Sequence, residues 1–297
     1  MKVGMVGLDT SHCVAFAKLL SGSGSDYSIP GVDLVAAYPG GSELFSLSRD
    51  RVKGYTDELR TTYGVTICDS IEDVVTDVDA VLLESVDGRQ HLEQFRKLAV
   101  GKPVYIDKPI TVTTAETREL MRLAESTGTP VMSCSSLRFA AGITDLVHEG
   151  ELVVSCEAFG PAAVLPDYPG LFWYGIHSAE MLFALMGTGC RSVQGLPYDT
   201  CDVLVSEWSD GRIGVMRGTR FGENAFGCVV HSTGGVRVGL AADTPPFYYL
   251  LLKEIVRFFE TGISPVKLEE TYEIIAFLQA ADQSKSHGGA IAYLDPL

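Results

Sequence analysis

The sequence predicts an α/β fold in two parts: an N-terminal doubly wound parallel sheet, then an α+β domain on a mostly antiparallel, open sheet. Three observations predict it. Over residues 1–135, short apolar β-prone runs alternate with helical patterns, the signature of a parallel sheet with crossover helices. Beyond residue 150, strands follow one another through short turns and two helices close the chain, which reads as α+β. The composition, 46% apolar and 21% charged over 297 residues, supplies two cores and excludes global disorder.

In the first part, residues 2–7 form a strand ending in a turn, and 13–20 a helix with Ser11 as its N-cap. Residues 21–25, Ser-Gly-Ser-Gly-Ser, read as a flexible loop, 32–37 as a second strand, and 38–51, with Pro39-Gly40-Gly41, as loop. A helix at 56–63 leads to a short strand at 65–68. Ser70 caps a helix at 71–76, a strand follows at 79–83, and a helix at 91–100. Residues 104–109, Val-Tyr-Ile-Asp-Lys-Pro, form a strand buried on both faces that ends in a carboxylate, an ammonium and a proline. A helix at 114–127 and a strand at 131–134 complete this part. The second part holds strands at 152–159, 193–196, 202–208, 213–220, 225–231 and 236–240, a helix at 176–186, and final helices at 247–260 and 268–284. Ser209-Asp210-Gly211-Arg212 reads as a hairpin turn.

Charge and cysteine usage narrow the function. A net charge of −15 repels phosphate backbones and anionic lipid, so neither nucleic acid nor membrane is expected as a partner. No apolar run reaches the roughly 18 residues of a span, and no signal-peptide pattern opens the chain. The seven cysteines include no C-x-x-C pair, which points away from a disulfide framework or a zinc ribbon and towards the cytoplasm. No metal is expected.

Ligands of open α/β sheets bind outside the carboxyl ends of the strands, so Asp107 and Lys108 stand where chemistry is usually placed. Pro109 stiffens the turn that carries Lys108. The stretch from Glu84 to His91 follows a strand and lies on the same edge. The first turn, Gly7-Leu8-Asp9-Thr10-Ser11-His12, keeps only the first glycine of G-x-G-x-x-G. Asp9 takes the place of the glycine that would approach a pyrophosphate. The second strand ends Ala36-Ala37-Tyr38-Pro39, without the acid that holds a ribose; Ser42, Arg49 and Arg51 follow it, as candidates for a 2′-phosphate or as surface residues. Arg138 follows the last strand of the first part, and Tyr174-Gly175-Ile176-His177 opens the helix inside the second.

These residues resemble the Gfo/Idh/MocA family of NAD(P)-dependent oxidoreductases. Residues 101–109 are similar to its G-K-x-V-x-x-E-K-P signature, with Asp107 for the glutamate. Arg138-Phe139 resembles its R-F, and residues 173–180 its D-x-G-x-H-x-x-D, with Trp173 and Glu180 in place of the aspartates. Residues 258–284 resemble its C-terminal helices. The resemblance implies a Rossmann dinucleotide-binding domain over 1–135 and a substrate-binding and oligomerisation domain over 136–297. It implies hydride transfer between NAD or NADP and a sugar, inositol or related polyol, by a homodimer or homotetramer. Lys108 would stabilise the developing alkoxide, His177 act as general base, Asp107 balance Lys108, and Tyr174 serve as a substitute acid. Cofactor contacts would fall to Gly7, Asp9, Thr10, Ser11, His12, Ser85, His91, Lys108 and Pro109, and substrate contacts to Arg138, Trp173 and Glu180. The departures keep two alternatives open: a non-catalytic relative that binds a sugar or nucleotide, and one that uses bound NAD transiently in glycoside cleavage or elimination.

Overall fold

The computed structural model describes residues 1–22, 26–222 and 224–297; residues 23–25 of the expected loop at 21–25 lie outside the described residues. Contacts divide the chain into two units. Unit 1 comprises Met1–Thr111, Ala115–Cys134 and Tyr248–Leu268; unit 2 comprises Val112–Thr114, Ser135–Phe247 and Glu269–Leu297. The sequence expectation ran the second domain unbroken over 136–297, whereas by contacts residues 248–268 group with unit 1.

Unit 1 alternates β1 (Lys2–Val6), α1 (Ser11–Ser21), β2 (Asp33–Tyr38), α2 (Ser46–Thr62), β3 (Thr66–Ile67), α3 (Ile71–Thr76), β4 (Ala80–Leu83), α4 (His91–Leu98), β5 (Val104–Ile106), α5 (Thr114–Thr127) and β6 (Val131–Met132). The strands pair in parallel in the order β3-β2-β1-β4-β5-β6. The order reverses between β1 and β4, which is where such sheets open a crevice at their carboxyl edge. Every residue of β4 and β5 is buried, as continuous apolar runs require. Burying a side chain such as Leu82 or Ile106 contributes about 1.5–3 kcal/mol, and both are fully enclosed.

Two local expectations change. Helix α2 starts at Ser46, inside the expected loop. Its buried positions are Ser48, Thr56 and Leu59, so its inner face is largely polar and no apolar stripe marks it. Helix α1 is preceded by Thr10 rather than capped by Ser11, and Thr10 makes no side-chain cap bond. Ser70 does cap α3, accepting from the Asp73 N–H at 3.1 Å.

Unit 2 is built on β7 (Val153–Pro161), β8 (Cys190–Pro197), β9 (Cys201–Trp208), β10 (Ile213–Thr219), β11 (Gly227–Ser232), β12 (Gly235–Leu240) and β13 (Ala292–Tyr293), ordered β12-β11-β7-β10-β9-β8-β13. All pairs are antiparallel except β7 with β10. Helix α6 (Gly175–Met186) packs on β7 and β10. Phe183 centres the core, 5.5 Å from the Trp208 ring and 5.6 Å from Phe277 in α8 (Leu268–Ser286). Helix α7 (Phe247–Thr261) is the element whose residues return to unit 1.

Candidate active site at the carboxyl edge of the parallel sheet

At the end of β5 the ladder continues one residue further: the Asp107 N–H donates to the Leu83 carbonyl at 2.8 Å. Asp107 and Lys108 are 1% and 8% exposed, so the motif is a buried element and not a solvated surface turn. The Lys108–Pro109 peptide is cis. His91, at the start of α4, fastens this turn to the one after β4. Its Nε2 lies 2.7 Å from the Ser85 carbonyl and its Nδ1 2.9 Å from the Pro109 carbonyl. Lys108 is thereby held between two tied loops.

His12, in the first turn of α1, meets Asp107 and Glu84. Its Nδ1 lies 3.2 Å from Asp107 Oδ2 and 3.5 Å from Glu84 Oε2, and neither approach is aligned as a hydrogen bond. The Tyr248 ring of α7 lies over it, with centroids 4.6 Å apart. Burial alone would lower the His12 pKa, but the Asp107 carboxylate, helped by Tyr248 and Glu84, raises it well above the usual histidine range. Burial acts against Asp107 ionisation as well, yet His12 and Lys108 hold its carboxyl down to about 2. Glu84, enclosed and close to the Asp107 charge, is pushed up to about 7. The edge thus keeps one carboxylate ionised beside a cation and a second one reluctant to ionise, the separation of roles that acid–base sites rely on.

Asp9 does not face solvent. It is fully buried, and its carboxylate accepts the Val86 N–H at 2.9 Å and the Ser48 hydroxyl at 2.6 Å. Burial raises its pKa, against the pull of those two bonds. Asp9 therefore ties the first turn to α2 and to the loop after β4, across the point where strand order reverses. Gly7 has a φ of +87°, and a Cβ there would stand 2.3 Å from the Ser85 nitrogen, so only glycine fits. On the β2 side, Ser42 is buried and donates to Asp87, which also accepts twice from the Arg89 guanidinium. Arg49 donates to the Glu43 carbonyl. A cleft of about 370 Å³ opens here, lined by Tyr38, Gly40, Ile71, Arg89, Gln94 and Lys97.

In unit 2, His177 lies in the first turn of α6 and is half-buried. Its Nδ1 is 2.7 Å from the Ser135 hydroxyl, and its ring stands edge-on to Tyr174 and Phe226 at 5.2 and 5.6 Å. Trp173 packs edge-on to Tyr168 at 5.9 Å and against Tyr174. Arg138 and Glu180 are almost fully buried and paired, Nε to Oε2 at 3.2 Å, and Arg138 also grips Glu270. Their charges serve each other, which pins the segment after β6 to α6 and α8. A larger cleft of about 480 Å³ lies in unit 2 beside the C-terminal tail. Its Glu273 accepts the Gly189 and Cys190 N–H groups, a strand-anchoring role, so volume and chemistry do not coincide.

The structure thus gathers Asp107, Lys108, Pro109, His12, His91 and Ser85 on one edge of unit 1, and His177, Tyr174, Trp173, Arg138 and Glu180 in unit 2. Glu84 was missed as a site residue; its signal was an acid directly ending an otherwise apolar strand.

Residues 33–134 match the sequence model of the oxidoreductase family GFO_IDH_MocA, NAD-binding Rossmann fold. No curated protein matches the chain. Solved structures of similar fold include GenD2 from gentamicin A biosynthesis, in complex with NAD (17% identity, TM-score 0.78, covering 99% of this chain and 96% of that one). Another is myo-inositol 2-dehydrogenase from Lactobacillus plantarum (16%, 0.78, 99% of each). A third is myo-inositol dehydrogenase from Lactobacillus casei with NAD(H) and myo-inositol (14%, 0.77, 100% and 97%). At these identities the likeness is one of fold. Among the described residues no helix is long and apolar enough to cross a membrane.

Proposed function

We propose that this chain, whose Rossmann domain is that of the GFO_IDH_MocA oxidoreductases, is an NAD(P)-dependent dehydrogenase or reductase acting on a polyol, inositol or sugar-like substrate. The observation that carries the reading is the buried Asp107-Lys108-Pro109 turn, held by His91 at the carboxyl edge of a sheet that matches the NAD-binding family. The inositol dehydrogenases and the gentamicin A biosynthesis protein among the relatives in fold support the substrate class.

The first turn fits a dinucleotide. Asp9, which stands where a glycine is usual, keeps its carboxylate inside, so no negative charge points at a diphosphate. Thr10 makes no side-chain cap bond to the first turn of α1, and a helix N-terminus in that state receives a phosphate well. Gly7, Thr10 and Ser11 would hold the diphosphate, and the cleft with Tyr38 and Arg89 the adenosine end. A bound nicotinamide would supply the hydride acceptor or donor. Lys108 then donates a hydrogen bond to the reacting oxygen and stabilises its developing charge. Asp107 balances the ammonium, and Ser85, His91 and Pro109 keep it aimed. By the family resemblance His177, with Nδ1 set by Ser135, would serve as the general base through its other ring nitrogen. Tyr174 shields that ring. Arg138 and Glu180 act on substrate indirectly, by fixing α6.

The open sheet face of unit 2 supports a homodimer or homotetramer. Val205, Val215, Glu157, Val229 and Val238 are register neighbours in one row across β9, β10, β7, β11 and β12. Val205 and Val238 are 38% and 67% exposed, an apolar edge to a surface suited to association. Seven cysteines, none of them in a disulfide, suit a reducing cytoplasm. A second reading, a ligand-binding relative without turnover, is favoured by Trp173, an aromatic where the family signature has an acid.

The test is a screen of polyols, inositols and sugar acids with NAD and NADP, on wild type and Lys108→Ala. Turnover in wild type and its loss by about two to three orders of magnitude in a folded variant is expected. Full activity in Lys108→Ala would remove Lys108 from the chemistry. Saturable sugar binding with no hydride transfer would favour the second reading.

A further inference from the structure

We propose that His12, Glu84 and Asp107 form a binding site for a divalent transition-metal ion of the Zn²⁺ or Mn²⁺ type. One ligand atom from each residue, the imidazole Nδ1 and a carboxylate oxygen from each acid, lies within 4.8 Å of the other two. The Nδ1 separations of 3.2 Å to Asp107 Oδ2 and 3.5 Å to Glu84 Oε2 suit a shared ion. Two donors, each about 2.1 Å from a metal and roughly 90–110° apart, stand about 3.0–3.4 Å from one another.

A second observation is independent of those distances. Glu84 and Asp107 are 0% and 1% exposed, and among the described residues none of their four oxygens, nor His12 Nδ1, is aligned in a hydrogen bond; only the charge pairing of His12 with the two acids holds them. Buried carboxylates are ordinarily hydrogen-bonded, paired or coordinated to a metal. Here five buried polar atoms crowd one spot, and none is aligned on another. A cation at their common centre would satisfy all three residues at once. One imidazole nitrogen with two carboxylate oxygens suits Zn²⁺ or Mn²⁺, while the lack of thiolate among the three disfavours Cu(I). The Lys108 charge beside both carboxylates weakens the hold on a cation, and His12 must release its proton before Nδ1 can coordinate, so binding should strengthen as pH rises. Three protein donors leave coordination positions open, the pattern of reactive sites and not of structural ones. An oxygen-bearing small molecule could take one of them. The sequence offered no ligand spacing, because the donors come from one helix start and two strand ends. The site does not depend on hydride transfer.

The experiment is calorimetric titration of the EDTA-stripped full chain with ZnCl₂ and with MnCl₂ alone, without nicotinamide. One equivalent of at least one ion is expected, with affinity at least about tenfold weaker in Glu84→Gln and in Asp107→Asn. The exposed His231→Ala should bind as wild type does. Glu84→Gln keeps the side-chain shape and removes a buried charge; circular dichroism verifies the fold, and His12→Asn replaces any variant that fails to fold. X-ray absorption on the zinc-loaded protein should show nitrogen and oxygen neighbours only. No saturable binding, binding unchanged in every folded variant, or sulfur at about 2.3 Å would overturn the proposal.

Discussion

Asp9→Ala tests the role the fold gives to an acid inside the turn after β1. The substitution orphans two donors, the Val86 N–H at 2.9 Å and the Ser48 hydroxyl at 2.6 Å, both in the interior. An unsatisfied buried donor costs about 1–3 kcal/mol. Part is returned, because the carboxylate itself is held there against burial, as its raised pKa records. The net expectation is a loss of about 2–4 kcal/mol, or about 4–16 °C in Tm for a chain of this size. Asp9→Asn keeps an acceptor for Val86 and should lose far less. A carboxyl whose folded pKa is raised favours the protonated fold. Wild type should therefore lose stability relative to Asp9→Asn as pH rises from the usual aspartate range through the raised value. Thermal melts of the three proteins between pH 4 and 8 read all of this. An Asp9→Ala protein within about 0.5 kcal/mol of wild type, with parallel pH curves, would refute the account and return Asp9 to the phosphate-facing role.

Four further outcomes are expected. Gly7→Ala should melt lower by more than about 1 kcal/mol and lose nucleotide binding, because its Cβ meets backbone at 2.3 Å. Gly54→Ala in α2, where a Cβ meets open space, should be neutral or stabilising in the same melts. His177→Asn should cut turnover by about 10²–10⁴ with little change in Tm, measured as steady-state rates on the best substrate found; an unchanged rate removes the base. Glu151, held down to about 2 first of all by its bonds from Arg237, ties the segment before β7 to β12. Its contribution is complete above the usual glutamate range and fades as pH falls towards 2. The protection factors of amides in the β11–β12 hairpin, measured against intrinsic exchange, should therefore fall in acid, and Glu151→Gln should remove that pH dependence.

The parts of the fold legible in the sequence are those whose burial is apolar and continuous. The β5 run Val104-Tyr105-Ile106 reads as a doubly covered strand, and its end sets Lys108 at the carboxyl edge of the sheet. Helix α2 was illegible at its start because Ser48 and Thr56, not leucines, face inward. Site residues divide the same way. Lys108 and His177 announce themselves by local motif. That Asp9 looks inward, that Arg138 is matched to Glu180, and that Glu84 meets His12 are facts of tertiary geometry between segments far apart in the chain. No spacing rule carries them.

Helix α7 has a consequence for how the protein is made. Tyr248–Leu268 belongs to unit 1 although more than a hundred residues of unit 2 precede it. Its Leu251, Leu252, Ile255, Phe258 and Phe259 are buried in the folded chain. During synthesis the rest of unit 1 emerges first but lacks this helix, which lies against His12 and Phe16 of α1, until residue 268 has left the ribosome. The intervening strands are produced while that apolar surface is open, a window in which a chaperone would have its substrate. A fragment ending at residue 134 should inherit that exposed state permanently and aggregate. A circularly permuted chain that begins at Tyr248 would deliver the cover first, and should refold from denaturant with less loss to precipitate.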